Sequence, residues 1–363
     1  MSLLLNRIFS LLVLALWMSS CAVVDEMRQQ SSMPPNSTPL PAHPLYVLTV
    51  SVGKLGINQL VIVDPLSWQV TQQVPLLNVS PDNLSRDPQG RIWMGYSEDQ
   101  RVQVFAPDGR LLKTLTACLD PYLTIHFAAG RAFIPCLKSG FYAAMVVVDL
   151  QSLEIVKQVD IRIDGDNFML LSAGGDEAYF IMMGNGNKRN RVVLVDTHTL
   201  APLNPILIPY GDLRKILPYH GHFLLLNGNP DSQTKERQDL VILDNVKSPM
   251  VQTEQMAAPG ALWGDLEGDV LYTYHNAELL GLKPDPARAI SRLDLVTHQS
   301  KLWPLPDRWE ARDVAIVNGQ ILLVHSIFQK PEESGLYRFD PATGKLTMLV
   351  NIPGAQRILP PAP

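Results

Sequence analysis

Met145-Val146-Val147-Val148-Asp149 is an apolar run closed by an acid, and the chain keeps returning to that outline. Leu60–Asp64, Val192–Asp196, Leu240–Asp244, Ile290–Asp294 and Leu336–Asp340 share it, and Val102–Ala106 is followed by Pro107-Asp108-Gly109. From Asp64 through Ala106, Asp149, Asp196, Asp244 and Asp294 to Asp340 the steps are 42, 43, 47, 48, 50 and 46 residues. A short apolar run ending at a turn signal reads as a buried strand. Seven such units, at a period of roughly 40–50 residues, read as a repeat architecture.

Each run leads through a turn into a second strand: Trp68–Leu76, Arg110–Thr116, Leu153–Ile161, Leu200–Ile208, Met250–Met256, Ser300–Leu305 and Lys345–Ile352. At the head of such a turn, an Asp carboxylate accepts backbone N–H groups two residues on. The seven positions are therefore expected to be structural. A further hairpin precedes the pair in several units: Asn83–Asp87 with Arg91–Tyr96, Leu170–Ala173 with Ala178–Met183, Ile216–Pro218 with His222–Leu226, and Val314–Val317 with Gln320–His325. Four antiparallel strands repeated seven times predict an all-β fold, a seven-bladed β-propeller of four-stranded blades. The first unit starts at Tyr46 without an innermost strand, which Ala355-Gln356-Arg357-Ile358 can supply. That closure would remove an open sheet edge.

Pro81–Gly95, followed by Arg101–Gly109, resembles a blade of the NHL or gluconolactonase type, and Leu60–Asp64 with Trp68–Leu76 resembles a YVTN-type blade. The amino terminus carries a second resemblance. Arg7 precedes the apolar stretch Ile8–Met18, and Ser19-Ser20-Cys21 follows, an arrangement similar to the signal peptide and lipobox of bacterial lipoproteins. That resemblance implies cleavage before Cys21, its acylation and a membrane attachment outside the cytoplasm. Ala22 in place of Asp implies the outer membrane in a Gram-negative host. An apolar run this short does not span a bilayer. The expected organisation is a signal peptide over 1–20, a Pro/Ser/Gln-rich tether over 21–44, the propeller over 45–358 and a Pro-rich tail over 359–363.

Charged residues make up 18% of the chain against 46% hydrophobic, with a net charge of −5. A mildly acidic body argues against a nucleic-acid partner. Cys118 and Cys136, placed at one end of a predicted hairpin, are expected to form a disulfide in an oxidising compartment. No C-x-x-C or H-x-H spacing suggests zinc, and no nucleophile elbow, P-loop or H-E-x-x-H motif is present. No catalytic residue, metal or cofactor is assigned. His126, His275 and His325 fall within strands and are read as packing residues.

The loops Gly184–Asn190, Asn227–Gln238, Ala277–Ala289 and Ile327–Gly335 are long, and they belong to one face of the predicted ring. Asp82, Asn83, Asp166, Asn167, Arg214, Trp263, Asp265, Arg312 and Asp313 lie near the channel mouth of that face and form the candidate ligand-binding set. A lactonase-like site would use Asn83, Asn167 and Asp265 as ligands of a divalent cation. The Glu that such families carry early in the chain is absent from Tyr46–Leu55. The mixture of Arg and Asp reads as a salt-bridged mouth or a polar ligand cup. The expectation is a monomeric, lipid-anchored binding or scaffold module for a protein or cell-envelope partner, with a metal-dependent lactonase-like hydrolase as the alternative.

Overall fold

The computed structural model describes residues 40–361 except 51–57, 77–78, 82, 97–98, 118–123, 139–141, 163–176, 183–189, 205, 209–212, 229–238, 245–249, 281–285 and 328. The described strands form seven antiparallel sheets, six of them four-stranded and the fourth along the chain three-stranded. The protein is an all-β propeller built of four-stranded blades. The expectation of seven four-stranded blades is corrected to six. In the fourth sheet Glu177–Met182 is the first strand described, and the inner strand expected at Leu170–Ala173 lies outside the described residues.

Ring closure follows the expected route. Ala355–Leu359 pairs antiparallel with Leu45–Thr49, setting Tyr46 opposite Leu359, Val47 opposite Ile358 and Leu48 opposite Arg357. The last strand of the chain is thus the innermost strand of the first sheet. Leu45, Val47, Val61 and Val63 of that sheet pack with Val317, Leu322, Val324, Leu336 and Ile358 in one buried cluster. The alternation of the strand residues explains this: one side chain in two faces the neighbouring sheet, and β-branched residues fill that interface well. Similar clusters join the first sheet to the second, the second to the third, the fourth to the fifth, the fifth to the sixth and the sixth to the seventh. Between the third and fourth, Arg131 Nη1 donates to the Thr197 carbonyl at 2.8 Å and Lys157 Nζ to that of Leu200 at 3.3 Å.

The repeated acids act as turn formers. Asp149 Oδ1 accepts from the N–H groups of Gln151 and Ser152 at 3.0 and 2.8 Å. Asp196 does the same for His198 and Thr199, and Asp294 for Val296 and Thr297. Asp64 and Asp340 each bind one such N–H and one hydroxyl. These bonds favour the ionised form and hold all five carboxyls below the usual aspartate range. Five turns close alike, with the N–H of the residue four beyond the Asp donating to the Asp carbonyl. That residue has positive φ in every case: Trp68, Leu153, Leu200, His298 and Gly344. At Gly344 a Cβ would lie 2.8 Å from Trp303 Cδ1, so only glycine fits there.

The blade with the NHL-like motif has a buried acid of another kind. Asp87 Oδ1 accepts from the N–H groups of Gln89 and Arg91, and Oδ2 from Arg91 Nε at 2.5 Å and Trp93 Nε1 at 2.9 Å. The spacing Asp87-Pro88-Gln89-Gly90-Arg91-Ile92-Trp93 is what lets one carboxylate collect four donors across a single hairpin.

Removing residues 355–363 strips the inner strand from the first sheet and should abolish cooperative folding. The milder Ile358→Ala should cost about 2–4 kcal/mol. Thermal unfolding followed by circular dichroism checks both, and a sharp transition in the truncated chain would contradict the closure.

Candidate functional site

Loops joining second to third strands, and connections between sheets, emerge on one face of the ring, here called upper. The turns headed by Asp64, Asp149, Asp196, Asp294 and Asp340 emerge on the lower face. Each inner strand begins at the upper face, and there four of them share an irregularity. Register shifts by one residue between Leu213 and Lys215, between Ala261 and Trp263, between Ala311 and Asp313, and between Ala355 and Arg357. The bulged residues are Arg214, Leu262, Arg312 and Gln356. A bulge re-aims the side chains that follow it. The buried residues before it, Leu213, Ala261, Ala311 and Ala355, hold the level constant from sheet to sheet.

Beyond the bulge come Lys215, Trp263, Asp313 and Arg357, one from each of the fifth, sixth, seventh and first sheets, and they pair two sheets apart along this arc of the ring. Lys215 Nζ reaches past the sixth sheet to within 3.8 Å of Asp313 Oδ1. The Arg357 guanidinium reaches past the seventh to lie 4.2 Å from the Trp263 ring centroid, and its Nη1 donates to the Arg312 carbonyl at 2.8 Å. Arg312 also pairs with Glu310 at 3.1 Å. The two reaches overlap above the sixth and seventh sheets, so the upper channel is crossed by alternating charge.

The acids of the candidate set have structural duties. Asp265 Oδ2 accepts the Ile316 N–H of the next inner strand at 2.8 Å, while Oδ1 accepts from Leu266. Asp313 Oδ2 accepts the Ile358 N–H at 3.2 Å, while Oδ1 accepts from Val314. The two acids repeat one device a step apart: each caps a backbone donor on the neighbouring sheet. Asn83 is buried and its Oδ1 accepts from the Gly95 N–H. Asp82, Asp166 and Asn167 lie outside the described residues, as do Cys21 and Cys118. Cys136 is buried on the strand Arg131–Lys138. No group of three or more metal-ligating side chains occurs among the described residues.

The strand histidines staple loops. His275 Nδ1 meets the Pro259 carbonyl at 3.1 Å and its Nε2 meets Ser291 Oγ at 2.7 Å. His325 Nδ1 meets the Glu310 carbonyl at 2.8 Å, and its ring lies parallel to Trp309 with 4.4 Å between centroids. Both occupy the end of a second strand, opposite the first residue of the inner one. Burial holds the His325 imidazole below its ordinary pKa. Burial likewise pushes the Tyr274 phenol up to about 12.

Arg214 and Arg312 belong to the expected set, and Lys215 and Arg357 do not. The signal that finds them is the aligned triplet Leu213-Arg214-Lys215, Ala261-Leu262-Trp263, Ala311-Arg312-Asp313 and Ala355-Gln356-Arg357, whose third members share one level.

No protein-family model matches this chain, and no curated protein does. Solved structures match in fold. The periplasmic gluconolactonase of Pseudomonas aeruginosa aligns with a TM-score of 0.59 at 13% identity, covering 88% of this chain and 99% of that one. A candidate 6-phosphogluconolactonase from Bacteroides fragilis gives 0.57 at 15%, covering 90% and 99%. Apo AztD from Citrobacter koseri gives 0.53 at 14%, covering 90% and 100%. At such identities the likeness establishes the propeller fold and leaves activity to the residues.

Asp265→Ala leaves the Ile316 N–H without its acceptor and should lower stability by about 1–3 kcal/mol, with no change in the metal content of the purified protein. Calorimetry and elemental analysis check the two halves. His325 titrates in the opposite sense to a partnered histidine. With its native pKa lowered, its contribution is present above the unfolded value of about 6.5 and is lost as pH falls. Melting temperature should therefore drop between pH 7.5 and 5, and drop less in His325→Gln.

Proposed function

We propose that this protein is a lipid-anchored, extracytoplasmic binding module, acylated at Cys21 and spaced from the membrane by residues 21–44. On this reading it presents the upper face of the propeller to a protein or cell-envelope partner. The observation that carries it is the commitment of Asp265 and Asp313, whose four carboxylate oxygens each hold a backbone N–H. Acids used in this way are poor ligands for a catalytic cation, and the mouth they border is a rigid polar surface. A Cys118–Cys136 bridge belongs to the same reading, and Cys136 is buried on its strand.

Two exposed leucines on opposite faces make a controlled test. Leu279, 67% exposed on the turn Glu278–Leu280, belongs to the upper face, and Leu66, 84% exposed, to the lower. A photo-crosslinking residue at Leu279 should trap a discrete adduct in intact cells, and one at Leu66 should not. Cys21→Ser should release the protein from the membrane fraction and prevent incorporation of a labelled fatty acid. Adducts from Leu66 alone would reverse the assigned face. Cation-dependent lactone hydrolysis, lost in Asp265→Ala at unchanged melting temperature, would replace the binding reading with the hydrolase.

A further inference from the structure

We infer that the lower face of the disc seats reversibly on a phospholipid bilayer, through exposed aliphatic side chains of its turns and outer rim. This rests on the anchor at Cys21 proposed above, and adds where the disc comes to rest within the tether's reach.

Exposed apolar residues are distributed one-sidedly. Of the eight large hydrophobic side chains exposed among the described residues, six lie two to seven positions beyond an Asp of a lower turn. Leu66 and Val296, 84% and 65% exposed, occupy the tips of the turns headed by Asp64 and Asp294. Leu112, Ile155, Val156 and Leu203 stand at the start of the outer rim of the second, third and fourth sheets, just past the turns of Asp108, Asp149 and Asp196. Leu112 and Val156 are each the extra residue of a bulge, which turns the side chain away from its sheet. Lys113 pairs with Glu154 at 2.6 Å, and Lys157 donates to the Leu200 carbonyl at 3.3 Å. These contacts join the four rim residues into one arc.

What covers such a surface must be flat, extended and undemanding of hydrogen bonds. Protein partners concentrate their binding on a clustered centre, whereas these side chains are spread over five of the seven sheets. The turn tips also arrive with their polar groups satisfied. The Leu66 N–H and the Ser67 hydroxyl bind Asp64, and the Val296 and Thr297 N–H groups bind Asp294. Such tips enter the headgroup–acyl boundary without leaving those donors unpaired. The path of the chain supplies a second argument. Ala42 and His43 line a hollow of about 250 Å³ with Asp64, Leu66 and Pro361, so the segment leading back to Cys21 leaves beside Leu66. The 18 residues from 22 to 39 span at most about 65 Å. A bilayer holding Cys21 therefore meets the lower face at high effective concentration. Contacts made by single side chains are individually weak, so the disc exchanges between a seated and a drawn-out position.

The test uses the acylated full-length protein in vesicles of phosphatidylethanolamine and phosphatidylglycerol doped with a lipid that carries a nitroxide on its acyl chain. An environment-sensitive fluorescent amino acid at Leu66 should emit at shorter wavelength and be quenched about threefold or more as strongly as one at Leu279. Val296→Asp combined with Val156→Asp should reduce the quenching at Leu66 and keep the melting temperature, because both side chains are exposed. Leu279→Asp should leave that quenching unchanged. A lengthened tether should lower it by diluting the disc near the surface. Equal quenching at the two positions, none at Leu66, or quenching at Leu66 that survives the double substitution would each overturn the inference. If the protein incorporates labelled fatty acid and Leu66 is still unquenched, the seating falls and the anchor stands. If no fatty acid is incorporated, both fall.

Discussion

Two five-residue strands at opposite ends of the described chain hold this molecule together. Ala355–Leu359 lies against Leu45–Thr49, and the pairing turns an open row of sheets into a ring. An inner strand has one bonded neighbour within its own sheet, so its other edge faces the channel with exposed donors. Asp265 and Asp313 answer that problem where it can be seen, each reaching to the next sheet to take one N–H. The acceptor from Asp313 lands on Ile358, in the closing strand itself. Pairing, apolar contact and acid cap therefore converge on the same few residues, and a change at any of them is felt by the others.

The acids divide by environment. Those heading the lower turns are half-buried and satisfied by their own loops, so they shape hairpins one at a time. Those on the inner strands join one sheet to the next. Asp87 is a third kind, buried beneath a hairpin and matched by Arg91 and Trp93. Acidic residues outnumber basic ones by 35 to 30, yet most of those described are engaged with backbone or with a cation.

How far the sequence discloses this depends on whether a feature is local. The Asp at the end of each apolar run was legible because its hydrogen bonds close within four residues, and the missing first strand was legible because the tail carried a strand without a partner. Bulges were not. Arg214 and Lys215, or Arg312 and Asp313, are adjacent in sequence, and strict alternation decides which one faces the axis only if the register is unbroken. One extra residue exchanges their roles, and nothing in either pair announces it. Asp265 shows the same limit from another side: its acceptor duty is to Ile316, 51 positions away, so by composition alone it reads as a candidate ligand.

The first strand enters beside Asp64 and the last leaves past Leu359 toward Pro361, so both described ends of the chain quit the disc on the side of the Asp-headed turns. A disc held by either end, or by both, behaves like a lamp on its stem: the holder and the lit side are opposite by construction. Lengthening or exchanging the stem changes how far the loops stand from whatever grips it, without touching a single inter-sheet contact.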